Sequence, residues 1–387
     1  MKMKKLIGFL TASLLMFSAF SQDVENGIGQ NDLNTITTAV PFLLIGPDSK
    51  AGAMGEVGVA TTPDANSMHW NPAKLAFTTD DMGASVSYVP WLRALVPDIN
   101  LSYLAGYKKL DDNQAIGLEM RYFSLGDITF TDVNGTTVGQ YKPHEFALAT
   151  SYARKLSREF SLAISGRYIY SNLTGGQYAG EVATQAGQSI AADLAGYYAK
   201  PVRMGGQDMD LAVGLNISNI GSKVSYTESL IRDFIPINMR LGTALGTDID
   251  DYNKVSIAFD INKLLVPTPP NENGGMDPDV GVVSGIFQSF WDAPGGTKEE
   301  FRELVYSVGG EYWYANQFAL RAGYFFEHST KGGRKFLTFG SGVKYSAFTL
   351  DFSYLVNANN DAGATNPLAN TMRFSMIWNF GAMEEAN

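Results

Sequence analysis

From residue 82 almost to its end, the chain alternates apolar residues with small, polar or charged ones. The period is two, the mark of strands with one face toward an apolar medium. Phe160, Leu162, Ile164, Gly166, Tyr168 and Tyr170 interleave with Ser161, Ala163, Ser165, Arg167 and Ile169. Phe318, Leu320, Ala322, Tyr324 and Phe326 interleave with Ala319, Arg321, Gly323 and Phe325. Phe348, Leu350, Phe352, Tyr354 and Val356 do the same with Thr349, Asp351 and Ser353. Such stretches fall near 82–90, 98–108, 113–124, 144–154, 159–171, 189–199, 209–219, 236–247, 253–262, 303–314, 317–327, 335–345, 347–357 and 370–380.

The connections alternate in length. Short ones lie at Lys109 to Asp112, Lys155 to Arg158, Asp248 to Tyr252, Ala315-Asn316 and Ser346-Ala347. Long ones cover roughly 125–143, 172–188, 220–235, 263–302 and 358–369. Short turns on one side and long loops on the other, with an even strand total, are the pattern of a bacterial outer-membrane barrel. A soluble sandwich has no such parity. The expected fold is therefore all-β: a transmembrane antiparallel β-barrel of about 14 strands in a Gram-negative outer membrane.

Composition agrees. The 387 residues hold 12% aromatics and 40 Gly with only 18% charged residues, as lipid-facing strands require. A net charge of −10 argues against nucleic acid as a partner. Met1-Lys2-Met3-Lys4-Lys5, the apolar run Leu6 to Phe17, and small residues at Ala19 and Ser21 predict a signal peptide over 1–21, cut before Gln22. That run is too short to span a bilayer as a helix. With no Cys in the chain, neither a lipid anchor at the cut nor a disulfide framework is expected.

If the apolar faces meet lipid, the lumen receives Glu119, Arg121, Arg167, Arg240, Asp260, Glu311, Arg321, Lys344, Asp351 and Arg373. An internal ion-pair network is the simpler reading of these charges, and a substrate path the other. Ahead of the first strand, Ala39 to Ile45, Ala51 to Ala60 and Asp64 to Ala73 are too apolar for a disordered tail and suggest an inward-folded plug. The expected division is 1–21 signal peptide, 22–80 periplasmic or plug segment, and 81–387 barrel.

The element Trp70, Asn71, Pro72, Ala73, following Gly52-Ala53-Met54-Gly55, resembles the N-terminal hatch of FadL-type barrels, which have fourteen strands and transport hydrophobic compounds. Phe42 to Asp48, Asp64 to Lys74 and Pro90 to Asp98 together are similar to the PorV (LptO) family, the FadL-like outer-membrane component of type IX secretion. That resemblance implies a carrier and no enzyme. Its partners would be the giant translocon barrel (Sov or SprA), the C-terminal signal domains of secreted cargo, the attachment complex with the sortase PorU, and outer-membrane lipid. The final strand, Met372 to Phe380, resembles the terminal signal read by the barrel-insertion machinery, though Gly381 to Asn387 follow it.

A protein carrier needs exposed apolar surface outside. The first loop offers Trp91, Leu92, Leu95 and Val96, and the fifth offers Ile286, Phe287, Phe290 and Trp291 at helical spacing. The alternative is that they fold onto the barrel mouth or into the membrane interface. Pro267-Thr268-Pro269-Pro270-Asn271 reads as a stiff spacer holding the second group off the rim. In the hatch element Pro72 fixes a bend and Asn71 bonds exposed backbone, which suits locking a plug to the wall.

No catalytic, metal or cofactor motif stands out. His69, His144 and His328 are isolated from Ser–carboxylate arrangements, and the carboxylates of Asp248, Asp250 and Asp251 suit a solvated turn. Two further functions compete. A FadL-type channel for hydrophobic molecules predicts an apolar pocket and a gap in the wall. A lipid A or lipopolysaccharide deacylase predicts a Ser or His with an activating partner near the membrane face.

Overall fold

A computed structural model describes residues 33–381, apart from 93–95, 97, 132–133, 177, 180–181, 229–231, 270–279 and 359–369. The expected signal peptide, Leu95, Pro270 and Asn271 lie outside the described residues.

Fourteen antiparallel strands form a closed barrel. In chain order they are β1 Met82–Pro90, β2 Ile99–Asp111, β3 Gln114–Leu125, β4 His144–Lys155, β5 Phe160–Asn172, β6 Gly187–Met204, β7 Gln207–Gly221, β8 Asn238–Asp248, β9 Asn253–Leu264, β10 Val305–Tyr314, β11 Phe318–Phe326, β12 Lys335–Tyr345, β13 Phe348–Asn357 and β14 Met372–Phe380. Each strand pairs with its neighbours in sequence, and β1 closes on β14 from Met82↔Phe380 to Tyr88↔Phe374. These are the stretches marked by alternation, with ends moved by a few residues.

The largest shift is between β6 and β7, which run on to a two-residue turn at Gly205-Gly206. Both glycines have positive φ, 60° and 82°, as a tight hairpin requires. Alternation fades at Lys200-Pro201-Val202-Arg203 because this part stands mostly in water, where neither face must be apolar.

On the strands, Leu162, Ile164, Leu320, Leu350 and Phe374 face outward, while Ser161, Ser165, Arg321, Asp351 and Ser375 are buried inside. Most of the expected lumen charges pair there. Arg167 reaches Glu119 at 3.0 Å and Asp193 at 2.9 Å. Arg321 reaches Glu311 and Asp351, each at 2.6 Å. Arg373 pairs with Glu56 of the N-terminal segment. Lys344 departs from expectation: its parity is inward, but it sits one residue from the periplasmic end of β12 and is exposed to water.

The segment ahead of β1 runs down the inside of the barrel. Asn34 is tied to outer loops, its N–H donating to the Thr330 carbonyl and its Nδ2 to the Pro269 carbonyl. The chain passes through short helical turns at Pro41–Leu44, Ser49–Ala53, Ser67–Trp70 and Pro72–Phe77 before β1 begins at the periplasmic rim. Asp260 on β9 accepts the N–H groups of Gly58 and Val59 at 2.8 and 3.0 Å. The wall makes room with glycine. A Cβ on Gly323 would lie 2.1 Å from the Met54 carbonyl carbon, and one on Gly309 would lie 2.3 Å from its oxygen.

Candidate functional site

The hatch element is wholly buried. Asn71 Nδ2 donates to the carbonyls of Val59 and of Gly196 on β6, both at 3.0 Å, while Asn71 Oδ1 accepts the Ala73 N–H. Trp70 Nε1 donates to Asp48 at 2.6 Å, and Asn216 on β7 holds the Trp70 carbonyl. Ser161 on β5 donates to the Ala73 carbonyl at 2.7 Å. Pro72 opens the 3-10 turn, where it removes a donor that would go unused. All four residues thus contact barrel or inner segment and none faces the outside.

The outer mouth presents the accessible surface. Phe42 and Leu43 pack there with Phe234, Ile235 and Ile237 of the loop 222–237 and with Leu265 and Val266 of the loop 265–304. Trp91, on the first loop, and Ile286 are partly buried against the same cluster. Phe287 and Trp291 are 61% and 69% exposed, with Phe290 and Val96 also outward. Val283 and Phe301, which the spacing did not single out, are exposed too; Val283, Phe287 and Trp291 follow one another every four residues.

The proline segment does not lift the helix Val282–Gln288 off the rim. Leu265 through Pro269 are buried, and Gly285 packs so closely that a Cβ there would lie 2.8 Å from the Phe234 ring. A polar latch at the following helix, Thr297–Arg302, holds the far end of the same loop. Lys263 reaches Glu303 at 2.7 Å and Glu300 at 3.1 Å, while Lys331 reaches Glu299 at 2.5 Å and Glu303 at 3.0 Å. Thr268 Oγ1 donates to Glu303, and Asn34 Nδ2 donates to Glu299. Burial raises the Glu299 carboxyl, but hydrogen bonds from Lys331, Gly295 and Asn34 outweigh it and hold the pKa below its ordinary value.

Beneath the latch lies a cavity of about 620 Å³. Its wall is mostly apolar, with Phe123, Phe325, Phe336 and Leu355 from the strands and Trp91 and Leu92 from the first loop. Its floor is Trp70, Arg240 and the Arg373–Glu56 pair. Two of the predicted loop residues, Trp91 and Leu92, therefore line this cavity. Sequence spacing gave no sign of it, since its wall draws on strands and loops from both ends of the chain.

The three histidines are far apart in role. His69 is buried beside Arg121, His144 stacks with Tyr122, and His328 bonds Thr330. None of them pairs with a carboxylate among the described residues. Asp250 is engaged by its own turn, accepting from the Tyr252 N–H and from Asn253.

A family model described as type IX secretion system protein PorV matches residues 28–271. The chain belongs to the PorV family. No curated protein matches it. Among solved structures it is similar to the TodX deltaS2S3 mutant monoaromatic hydrocarbon channel, at 12% identity and a TM-score of 0.50, over 87% of this chain and 99% of that one. It is also similar to the Ralstonia pickettii toluene transporter TbuX (14%, TM-score 0.47, 87% and 98%) and to a Pseudomonas aeruginosa FadL homologue (10%, TM-score 0.41, 90% and 100%). At such identities only the FadL-like fold is shared. Family and closed barrel together make this PorV-family chain an outer-membrane component of the type IX secretion system.

Proposed function

We propose that this barrel receives secreted proteins by their C-terminal signal domain at the translocon and carries them to the sortase-bearing attachment complex. One observation carries the reading beyond family membership: a PorV-family barrel holds an apolar strip, Val283, Phe287 and Trp291, outward on the helix Val282–Gln288 and the turn after it, in a loop latched above its mouth. Apolar surface fixed toward water at a rigid site favours a protein partner, because little side-chain or loop entropy is lost when it is covered. Phe290, Trp291 and Val96 form the contact surface in this reading, with Phe287 at its centre. The barrel acts by binding and release, with no covalent step of its own.

The test is isolation of the tagged protein from native outer membranes in mild detergent. Cargo retaining its C-terminal domain, or a very large barrel, is expected with it. Replacing both Phe287 and Trp291 by Asp should reduce that capture by about tenfold or more while the barrel still folds. Undiminished capture would overturn the assignment of the surface. A lone barrel carrying fatty acid would overturn the carrier reading itself.

A FadL-type channel is the second reading, favoured by the mostly apolar cavity. Against it stand the paired charges and inner segment filling the lumen below that cavity, and the hydrogen bonding of every neighbouring strand pair.

A further inference from the structure

Arg240 projects from β8 into the cavity floor with no carboxylate within ion-pair distance among the described residues. Its side chain is buried, donates to the His69 carbonyl at 3.3 Å and lies 4.9 Å from the centre of the Trp70 ring. Among the described residues it forms no ion pair, whereas Arg121, Arg167, Arg321 and Arg373 each do. The nearby acids are engaged elsewhere: Glu56 with Arg373, and Asp260 with the backbone of Gly58 and Val59. The Asn238 amide oxygen accepts from Arg240 Nε at 3.0 Å, so the group is hydrogen-bonded, but its charge is left unpaired, and a buried unpaired guanidinium invites an anion.

The space above Arg240 selects the anion's companion. Phe42, Phe123, Phe325, Phe336 and Leu355 surround it, so an apolar group must accompany the charge. Entry is from outside the cell, past Leu92, Glu303, Lys331 and Arg334, which belong to the outer loops. The strand ladder is continuous around the barrel, giving a membrane lipid no lateral way in. A volume of about 620 Å³ suits the last residues of a peptide.

We infer that this cavity seats the C-terminal end of the cargo chain, its terminal carboxylate on Arg240 and its last apolar side chain against Phe325, Phe336 and Leu355. The inference rests on the cargo reading above and names the part of the signal domain that is gripped. A chain end fits the floor better than an Asp or Glu within a folded domain, because it can enter a narrow mouth alone.

The experiment uses the full-length barrel in detergent micelles and the purified C-terminal domain of a cargo protein from the same membrane, labelled for fluorescence anisotropy. The domain is prepared with a free C-terminus and with that terminus amidated. Amidation should weaken binding by about tenfold to a hundredfold, the range for losing a charge-assisted hydrogen bond. Arg240→Gln should weaken the free form equally and the amidated form no further. Leu355→Trp, which fills the cavity from β13, is a second variant that leaves Arg240 in place and should also weaken binding. Equal binding of free and amidated domains would overturn the inference and leave the cargo reading standing. No binding of either form would overturn both. Arg240-dependent binding of oleate in place of the peptide would overturn the inference in favour of a small amphiphile.

Discussion

Replacing Gly323 by valine drives a side chain into the backbone of the inner segment. The first added carbon would lie 2.1 Å from the Met54 carbonyl carbon and 2.2 Å from the Gly55 nitrogen, and neither can swing aside as a side-chain tip would. Inserting methylenes into a packed interior typically costs about 1–3 kcal/mol, and a backbone obstacle puts this site at the upper end. At about 3 kcal/mol the docked state loses more than a hundredfold of its population advantage. Gly166 on β5 is the control. It faces outward with nothing within 4 Å of an added Cβ, so Gly166→Val should be neutral. Two assays read the difference: the temperature at which the detergent-solubilised barrel loses its compact gel mobility, and conductance in planar bilayers. Gly323→Val should unfold at lower temperature and conduct more as the segment shifts, with Gly166→Val like the parent in both. If the two variants behave alike, the segment is not held against β11 as described.

Other perturbations address the lumen and the latch. Arg321→Met strands the carboxylates of Glu311 and Asp351, both buried, and should cost about 3–5 kcal/mol in denaturant unfolding; adding Glu311→Gln and Asp351→Asn should recover much of it. A triple variant no more stable than the single one would refute this account of the triad. Because the Glu299 pKa is depressed in the folded loop, its contribution is complete above the ordinary value of 4.5 and lost as pH falls through the folded value. Asp292, raised chiefly by burial, acts in the opposite sense. If the Glu299 latch dominates, Trp291 fluorescence should report the loop loosening only below about pH 4.5. Loosening already near neutral pH would remove Glu299 from the latch.

The barrel was legible because two faces in two media impose alternation at every strand, and Phe348 to Val356 could be read from its nine residues alone. Turn chemistry was legible where it was short, as at Ser346-Ala347. It failed at Gly205-Gly206, where the strands outrun the bilayer and nothing enforces alternation. Parity correctly turned Arg240 inward, yet it could not reveal the stacking on Trp70, 170 positions earlier in the chain, or the missing carboxylate. It also turned Lys344 inward, because parity fixes direction but not depth. Trp91 and Phe287 looked alike in sequence; only the packing of Phe234 and Leu265 separates the one that lines the cavity from the one left in water.

The inner segment enters at the outer mouth and leaves at the periplasmic rim, straight into β1, the strand that also forms the closing seam with β14. A thread with that course could enter a finished cylinder from below only by its end. The simpler route lays it in position while the sheet is still open, so that the last nine residues to zip, Met372 to Phe380, enclose it. On that route the earliest part of the chain is the mould around which the wall is bent, and the latest part is the clasp. A chain lacking its final strand would lose the enclosure as well as the seam.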